Sequence, residues 1–169
     1  HEALWYIEPR GDGDKRPQYK WGGYSQDFGT AEKVHSYEDI QKLPSESFAV
    51  CGVQDKAHMA RSLLVFDLDV HKAEANDDSP EQVQIDDRVP LIKSQNGGFH
   101  VPFFVRCDKN SLNESDFGMT KYVSWDVDVK GSAVGGHVVA PGDIPGINSS
   151  YEIVRDTTIP TVSGPQDAC

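Results

Sequence analysis

The sequence predicts an α+β fold with a mixed or antiparallel sheet at its centre, and three observations carry that prediction. Short apolar runs of strand length outnumber segments with helical spacing. The connections between them are brief and rich in turn-forming residues, which suits hairpins better than long βαβ crossovers. One run, Ser62 to Val70, is nearly continuous in apolar residues, as expected for a strand buried on both faces.

Taken in order, Leu4-Trp5-Tyr6-Ile7 reads as an opening strand. Pro9 to Pro17 is turn-rich, with Gly11, Asp12, Gly13 and Asp14 as breakers. Ser36-Tyr37-Glu38-Asp39 starts a short helix with the pattern of a capping box, ending before Pro44. Phe48 to Val53 is a strand, and Ser62 to Val70 is the clearest one. The polar, acidic stretch from His71 to Asp87 has room for one short helix beginning at Ser79-Pro80-Glu81. Strands follow at Val89 to Lys93, Phe99 to Arg106, Tyr122 to Val129, Val138 to Ala140 and Tyr151 to Val154. No repeat or internal boundary divides the chain, so residues 1–169 read as a single domain with a loose tail over 160–169. A start at His1 and a stop at Cys169 suggest a domain excised from a longer chain.

Composition narrows the functional classes. A net charge of −11 and a pI near 4.8 argue against a polyanion-binding surface. They equally fit adaptation to high salt, and the preference for Asp over Glu with little Arg favours that reading. In molar salt the Debye length falls to about 3 Å, so local contacts rather than net charge decide binding. No run approaches the roughly 18 apolar residues of a membrane span, and there is no basic-then-apolar leader. Cys51, Cys107 and Cys169 lie far apart, which predicts neither a structural zinc nor a disulfide framework and points to a reducing, cytoplasmic setting.

Three segments carry chemistry. Phe66-Asp67-Leu68-Asp69 ends the buried strand, and residues two apart on a strand share a face. Asp67 and Asp69 therefore point the same way about 7 Å apart, a pair that repels unless a hard cation such as Mg2+ or Mn2+ lies between them. Alone, the pattern also fits two solvent-facing acids. In the second segment, Lys93-Ser94-Gln95-Asn96-Gly97-Gly98-Phe99-His100, the glycine pair lets backbone N–H groups approach an anion, with Ser94 and Lys93 as further donors and His100, two residues on, able to donate to a phosphate. An ordinary hairpin with a solvated His reads the same way. The third, Trp125-Asp126-Val127-Asp128-Val129-Lys130-Gly131, puts Asp126 and Asp128 on one strand face before the turn at Gly135-Gly136 and the strand His137-Val138-Val139-Ala140-Pro141. Lys130 is expected on the face opposite Asp128 unless a bulge intervenes.

In this order, strand D-x-D, strand–Gly-Gly–x-His, then strand Asp with a Gly-Gly hairpin, the chain resembles the bifunctional primase-polymerase domains of the archaeo-eukaryotic primase superfamily. The resemblance runs from about Lys15, where Lys15-Arg16-Pro17 and Trp21 match the family's K-x-P…W entry, to Tyr151. It departs from the family at His137, which stands for a Tyr, at Gly142-Asp143, which stand for Pro-Ser, and at the lengthened turn Ser132-Ala133-Val134. The resemblance implies a catalytic core like an RNA-recognition motif with an N-terminal α/β unit beside it. It also implies that Asp67, Asp69 and Asp128 hold two divalent metals, Mg2+ or Mn2+. Ser94, Gly97, Gly98, His100 and Lys130 would bind the nucleotide triphosphate. The motif frame favours Asp128 over Asp126 as the third ligand.

The implied activity is template-directed nucleotidyl transfer from (d)NTPs on single-stranded DNA, with a helicase as domain or partner. The acidic surface adds the expectation of a halophilic archaeon or its virus or plasmid. Two other classes stay open: an inactive nucleotide- or single-strand-binding module, and a metal-dependent nuclease or phosphoesterase. Tyr19, Trp21 and Tyr24 with Lys15, Arg16 and Lys20 form an aromatic-basic cluster suited either to stacking on a single strand or to packing.

Overall fold

A computed structural model describes residues 4–11, 14–18, 34–43, 48–53, 61–69, 85–107, 126–132, 136–144 and 149–164. Strand β5 (Ser62–Asp69) is the central element, buried along all but its last residue. Its even-numbered side chains Leu64, Phe66 and Leu68 pack in one core cluster, and its odd-numbered Leu63 and Val65 pack in another. The near-continuous apolar run is thus explained: both faces of this strand are covered, and only at Asp67 and Asp69 does the odd face turn polar.

β5 pairs antiparallel with β7 (Phe99–Val105) on one side and with β8 (Asp126–Lys130) on the other. β6 (Leu91–Lys93) joins β7, β11 (Ser150–Arg155) joins β6, and β10 (Gly142–Asp143) closes that edge, giving the order β10-β11-β6-β7-β5-β8. β12 (Thr161–Val162) runs parallel to the far end of β7. Of the tail expected to be loose, residues 161–162 are therefore in the sheet, tied by Phe104 N–H to Pro160 O (2.8 Å) and Arg106 N–H to Val162 O (3.2 Å). These bonds also explain how a proline sits mid-strand. N–H groups alternate between edges, so Pro102 lacks its donor on the β6/β12 side of β7 and not on the side paired with β5.

A second, three-stranded sheet orders β1 (Leu4–Ile7), β4 (Ala49–Val53) and β9 (Val138–Val139) as β1-β4-β9. Leu4, Tyr6, Val50 and Val138 from this sheet pack against Leu63, Val65 and Phe104 of the large one. α1 (Tyr37–Ile40) carries the expected capping box, with Asp39 N–H donating to the Ser36 hydroxyl and Ser36 N–H to the Asp39 carboxylate. The turn-rich segment from Pro9 to Pro17 is a hairpin, β2 (Pro9–Gly11) and β3 (Asp14–Pro17). Its prolines mask the strand pattern, yet each stands at an end of the hairpin, where a missing N–H is tolerated.

The described residues are mostly antiparallel sheet with little helix, loosely consistent with α+β. No helix among them is long and apolar enough to cross a membrane. The helix expected at Ser79-Pro80-Glu81, the aromatics Tyr19, Trp21 and Tyr24, and the first part of the strand expected from Tyr122 lie outside the described residues.

Ser132 shows how β8 is fastened. Beyond Lys130 the chain turns at Gly131, and the buried Ser132 hydroxyl accepts the Leu63 N–H at 2.8 Å in place of a ladder carbonyl. Ser132→Ala leaves that buried donor unpaired, with an expected loss of about 1–3 kcal/mol. Urea unfolding should show a lower midpoint at unchanged slope, and an unchanged midpoint would refute the role.

Candidate active site

The site is laid out by ladder register. Asp67 of β5 stands opposite His100 of β7 on one side and Asp128 of β8 on the other. Asp69 stands opposite Asp126, and Lys130 opposite Val65. The face that is apolar at Leu63, Val65 and Phe104 under the small sheet thus becomes polar within one rung, at Asp67, His100, Asp128 and Lys130.

Asp67 is the hub. It is buried, and His100, also buried, places Nε2 3.3 Å from its Oδ1. Lys130 Nζ donates to its Oδ2 and lies 3.8 Å from Asp128 Oδ2. Burial alone would push the Asp67 carboxyl up, but hydrogen bonds and charge from His100 and Lys130 outweigh it and bring it down to about 2. A depressed carboxyl contributes stability above its unfolded value near 3.9, and that contribution is lost as pH falls through about 2. Asp67 is therefore an anion throughout the neutral range.

Lys130 requires a correction. It was expected on the face opposite Asp128, but β8 runs regularly through Lys130, and residues two apart share a face. Its ammonium joins the carboxylates directly.

The Ser94–Gly98 turn packs onto the end of β5. Gly97 N–H donates to Ser94 O (3.1 Å) and Ser94 N–H to Gly98 O (2.7 Å), with Gly97 at φ +87. This is a three-residue hairpin loop whose last position favours glycine. A Cβ on Gly98 would lie 2.4 Å from Leu68 O, so the second glycine lets the turn press against the D-x-D strand. Ser94 is buried there. Gly97 N–H is engaged within the turn by Ser94 O, and His100 is the side chain that the register of this segment sets against Asp67.

Tyr151 is a site residue that sequence reading missed. It is buried on β11, and its ring lies 5.2 Å from the His100 imidazole at 42°. Burial, reinforced by the charges of Asp67 and Asp69, pushes its phenol up to about 12, so it remains a neutral donor. The only sequence signal was its place at the end of the motif series; its approach to His100 depends on β11 pairing with β6.

The donor set suits a hard divalent cation. Asp67 and Asp128 stand close enough for one ammonium to reach both, a gap that a cation with oxygen ligands also fits. Among the described residues no three His, Cys, Asp or Glu side chains already converge as a metal cage. Lys130 holds the position between two of them. The face can thus offer carboxylates to a cation, with an imidazole and an ammonium group beside them.

The described strands form mostly antiparallel sheet, and one face of it gathers Asp67, His100, Asp128 and Lys130. The chain belongs to the family of bifunctional DNA primase/polymerase N-terminal domains (Prim-Pol), whose family model matches residues 1–167. No curated protein matches it. Membership suggests a primase/polymerase-type function in DNA replication and a nucleotidyltransferase-type enzyme.

Proposed function

We propose that this chain is a template-directed DNA primase/polymerase, transferring nucleotidyl groups from (d)NTPs along single-stranded DNA. The observation that carries the reading is the rung His100–Asp67–Asp128, which sets residues of all three motifs side by side on one sheet face. The strands β6, β7, β5 and β8 are read as the RNA-recognition-motif-like catalytic core, with the β1-β4-β9 sheet and α1 as the unit beside it.

Asp67, Asp69 and Asp128 would hold two divalent ions, Mg2+ or Mn2+. The chemistry they would supply there is activation of a 3′-hydroxyl and neutralisation of charge on the triphosphate and leaving pyrophosphate. The chain's own groups do the positioning. Asp67, ionised and held from both sides, fixes the geometry of the acid pair. His100 and Ser94 would donate to phosphate oxygens, and Tyr151 packs against His100. Positioning and charge neutralisation are most of what phosphoryl transfer requires. A helicase in the same chain or as a partner, and a high-salt cytoplasm, complete the proposal.

A second reading, a nucleotide-binding module without turnover, draws on the Lys130 ammonium between Asp67 and Asp128. Primer extension and de novo synthesis on a single-stranded template, in high KCl with Mn2+ and labelled triphosphates, separate the two. The parent is expected to incorporate nucleotides and Asp67→Ala is not. Synthesis retained by pure Asp67→Ala sinks the assignment of Asp67. Triphosphate binding by a folded parent without incorporation favours the binding module.

A further inference from the structure

Lys130 stands at the rung of Val65, where the sheet face changes from apolar core to acid cluster. From there its ammonium reaches Asp67 and Asp128 together. Two carboxylates facing one another across a ladder repel, and a buried carboxylate such as Asp67 is costly without a partner. The protein must nevertheless fold and persist before any divalent ion is bound, and Lys130 is a cation the chain itself supplies to that position. The division of oxygens on Asp67 is informative: His100 takes Oδ1, while Lys130 takes Oδ2. Withdrawing Lys130 therefore frees Asp67 Oδ2 and Asp128 Oδ2 together, while His100 keeps the Asp67 carboxylate oriented through Oδ1. The Lys130 side chain is 38% exposed, so it has solvent to move into.

We propose that Lys130 is a positioning residue, an internal counter-cation that holds Asp67 and Asp128 together until a divalent cation replaces it on the same face. The inference rests on the reading of those two acids as cation ligands. Cation binding is then an exchange, in which the incoming ion must displace an ammonium. The affinity of the parent is lowered by that displacement, and the released ammonium stays beside the bound ion, facing whatever phosphate approaches.

The experiment is Mn2+ titration of the full chain in molar KCl, followed by electron paramagnetic resonance of free Mn2+, with thermal midpoints measured with and without the ion. At that salt, screening to about 3 Å suppresses long-range charge effects, so direct displacement dominates. Three variants are compared. Lys130→Met removes the counter-cation. Lys130→Arg keeps one. Lys93→Met removes the same charge from β6 in the same sheet, at the rung of Phe99 and hence on the opposite face. Lys130→Met should bind Mn2+ about fivefold more tightly. It should also melt lower than the parent without the ion and gain more from it. Lys130→Arg and Lys93→Met should stay within about twofold of the parent.

Unchanged or weaker Mn2+ binding by Lys130→Met, with the parent binding normally, overturns the inference and leaves the proposed function standing. Tightening by Lys93→Met to the same degree overturns it as well, because the effect is then general charge. Should Lys130→Met unfold without the ion, recovery of the fold by Mn2+ supports the inference, and failure to recover overturns it. A parent that binds no Mn2+ overturns the cation-ligand reading itself.

Discussion

Exchange of Asp67 for Asn is expected to lower nucleotide incorporation by roughly 10³-fold or more while the protein remains folded. Asn keeps the volume of the side chain and an acceptor for His100, so packing under the rung is preserved. It lacks the negative charge that draws Lys130 now and would draw a divalent ion during catalysis. Lys130, partly exposed, can turn to solvent or to Asp128, so the thermal midpoint should fall by no more than the equivalent of about 2–3 kcal/mol, the contribution of the ionised Asp67 carboxylate. The neighbouring acids sharpen the expectation. Asp128 shares the rung of Asp67, whereas Asp126 stands one alternation away, opposite Asp69. Asp128→Asn should therefore resemble Asp67→Asn, and Asp126→Asn should retain most of the parent's incorporation. Steady-state primer extension on the three purified variants reads this directly. Loss at position 126 with activity retained at position 128 would show that the motif frame was placed wrongly by one alternation, and equal losses would show that both acids are required.

How far the sequence led can be judged at particular residues. The apolar run through Leu63-Leu64-Val65-Phe66 announced a strand covered on both faces, and the two clusters that divide its side chains are the physical reason. The period of two placed Asp67 and Asp69 together, and the same rule, applied consistently, would have put Lys130 beside Asp128. What no local pattern could supply was which strands are neighbours. That Asp67 meets His100 on one flank and Asp128 on the other follows from β5 lying between β7 and β8, a non-local pairing. Tyr151 was invisible for the same reason, since it reaches His100 only after β11 has joined β6. The hairpin from Pro9 to Pro17 and the strand Thr161–Val162 were hidden by prolines and by brevity. In each case backbone pairing with a distant or unpromising partner overrode weak local preference.

Gly131 is where stability and site geometry meet, and Gly131→Ala should be among the most damaging small substitutions in the chain. The residue has φ +102, in a region that L side chains rarely adopt, and a Cβ there would lie 2.4 Å from Leu63 O and 3.0 Å from Leu63 C. Both obstacles are backbone atoms of the central strand, so no side-chain rotation relieves them. Adding backbone strain to the cost of forcing apart a packed contact gives an expected loss of roughly 3–5 kcal/mol, a large part of the 5–15 kcal/mol that holds a typical domain together. Gly164→Ala is the matched control: nothing lies within 4 Å of its Cβ position, and the change should stay within about 0.5 kcal/mol. Urea unfolding of both variants beside the parent decides it, and a Gly131→Ala midpoint close to that of the control would contradict the packing described here. The consequence reaches the site, because Gly131 follows Lys130 directly and precedes Ser132, whose hydroxyl fastens this strand end to Leu63. Any shift that admits a methyl group there moves β8 against β5 along the very rungs that set Asp128 and Lys130 beside Asp67. Where Gly131→Ala protein can still be isolated folded, its Mn2+ affinity should therefore differ from the parent's, whereas Ser132→Ala, which alters the same clamp without adding bulk, should lose stability with a smaller change in affinity.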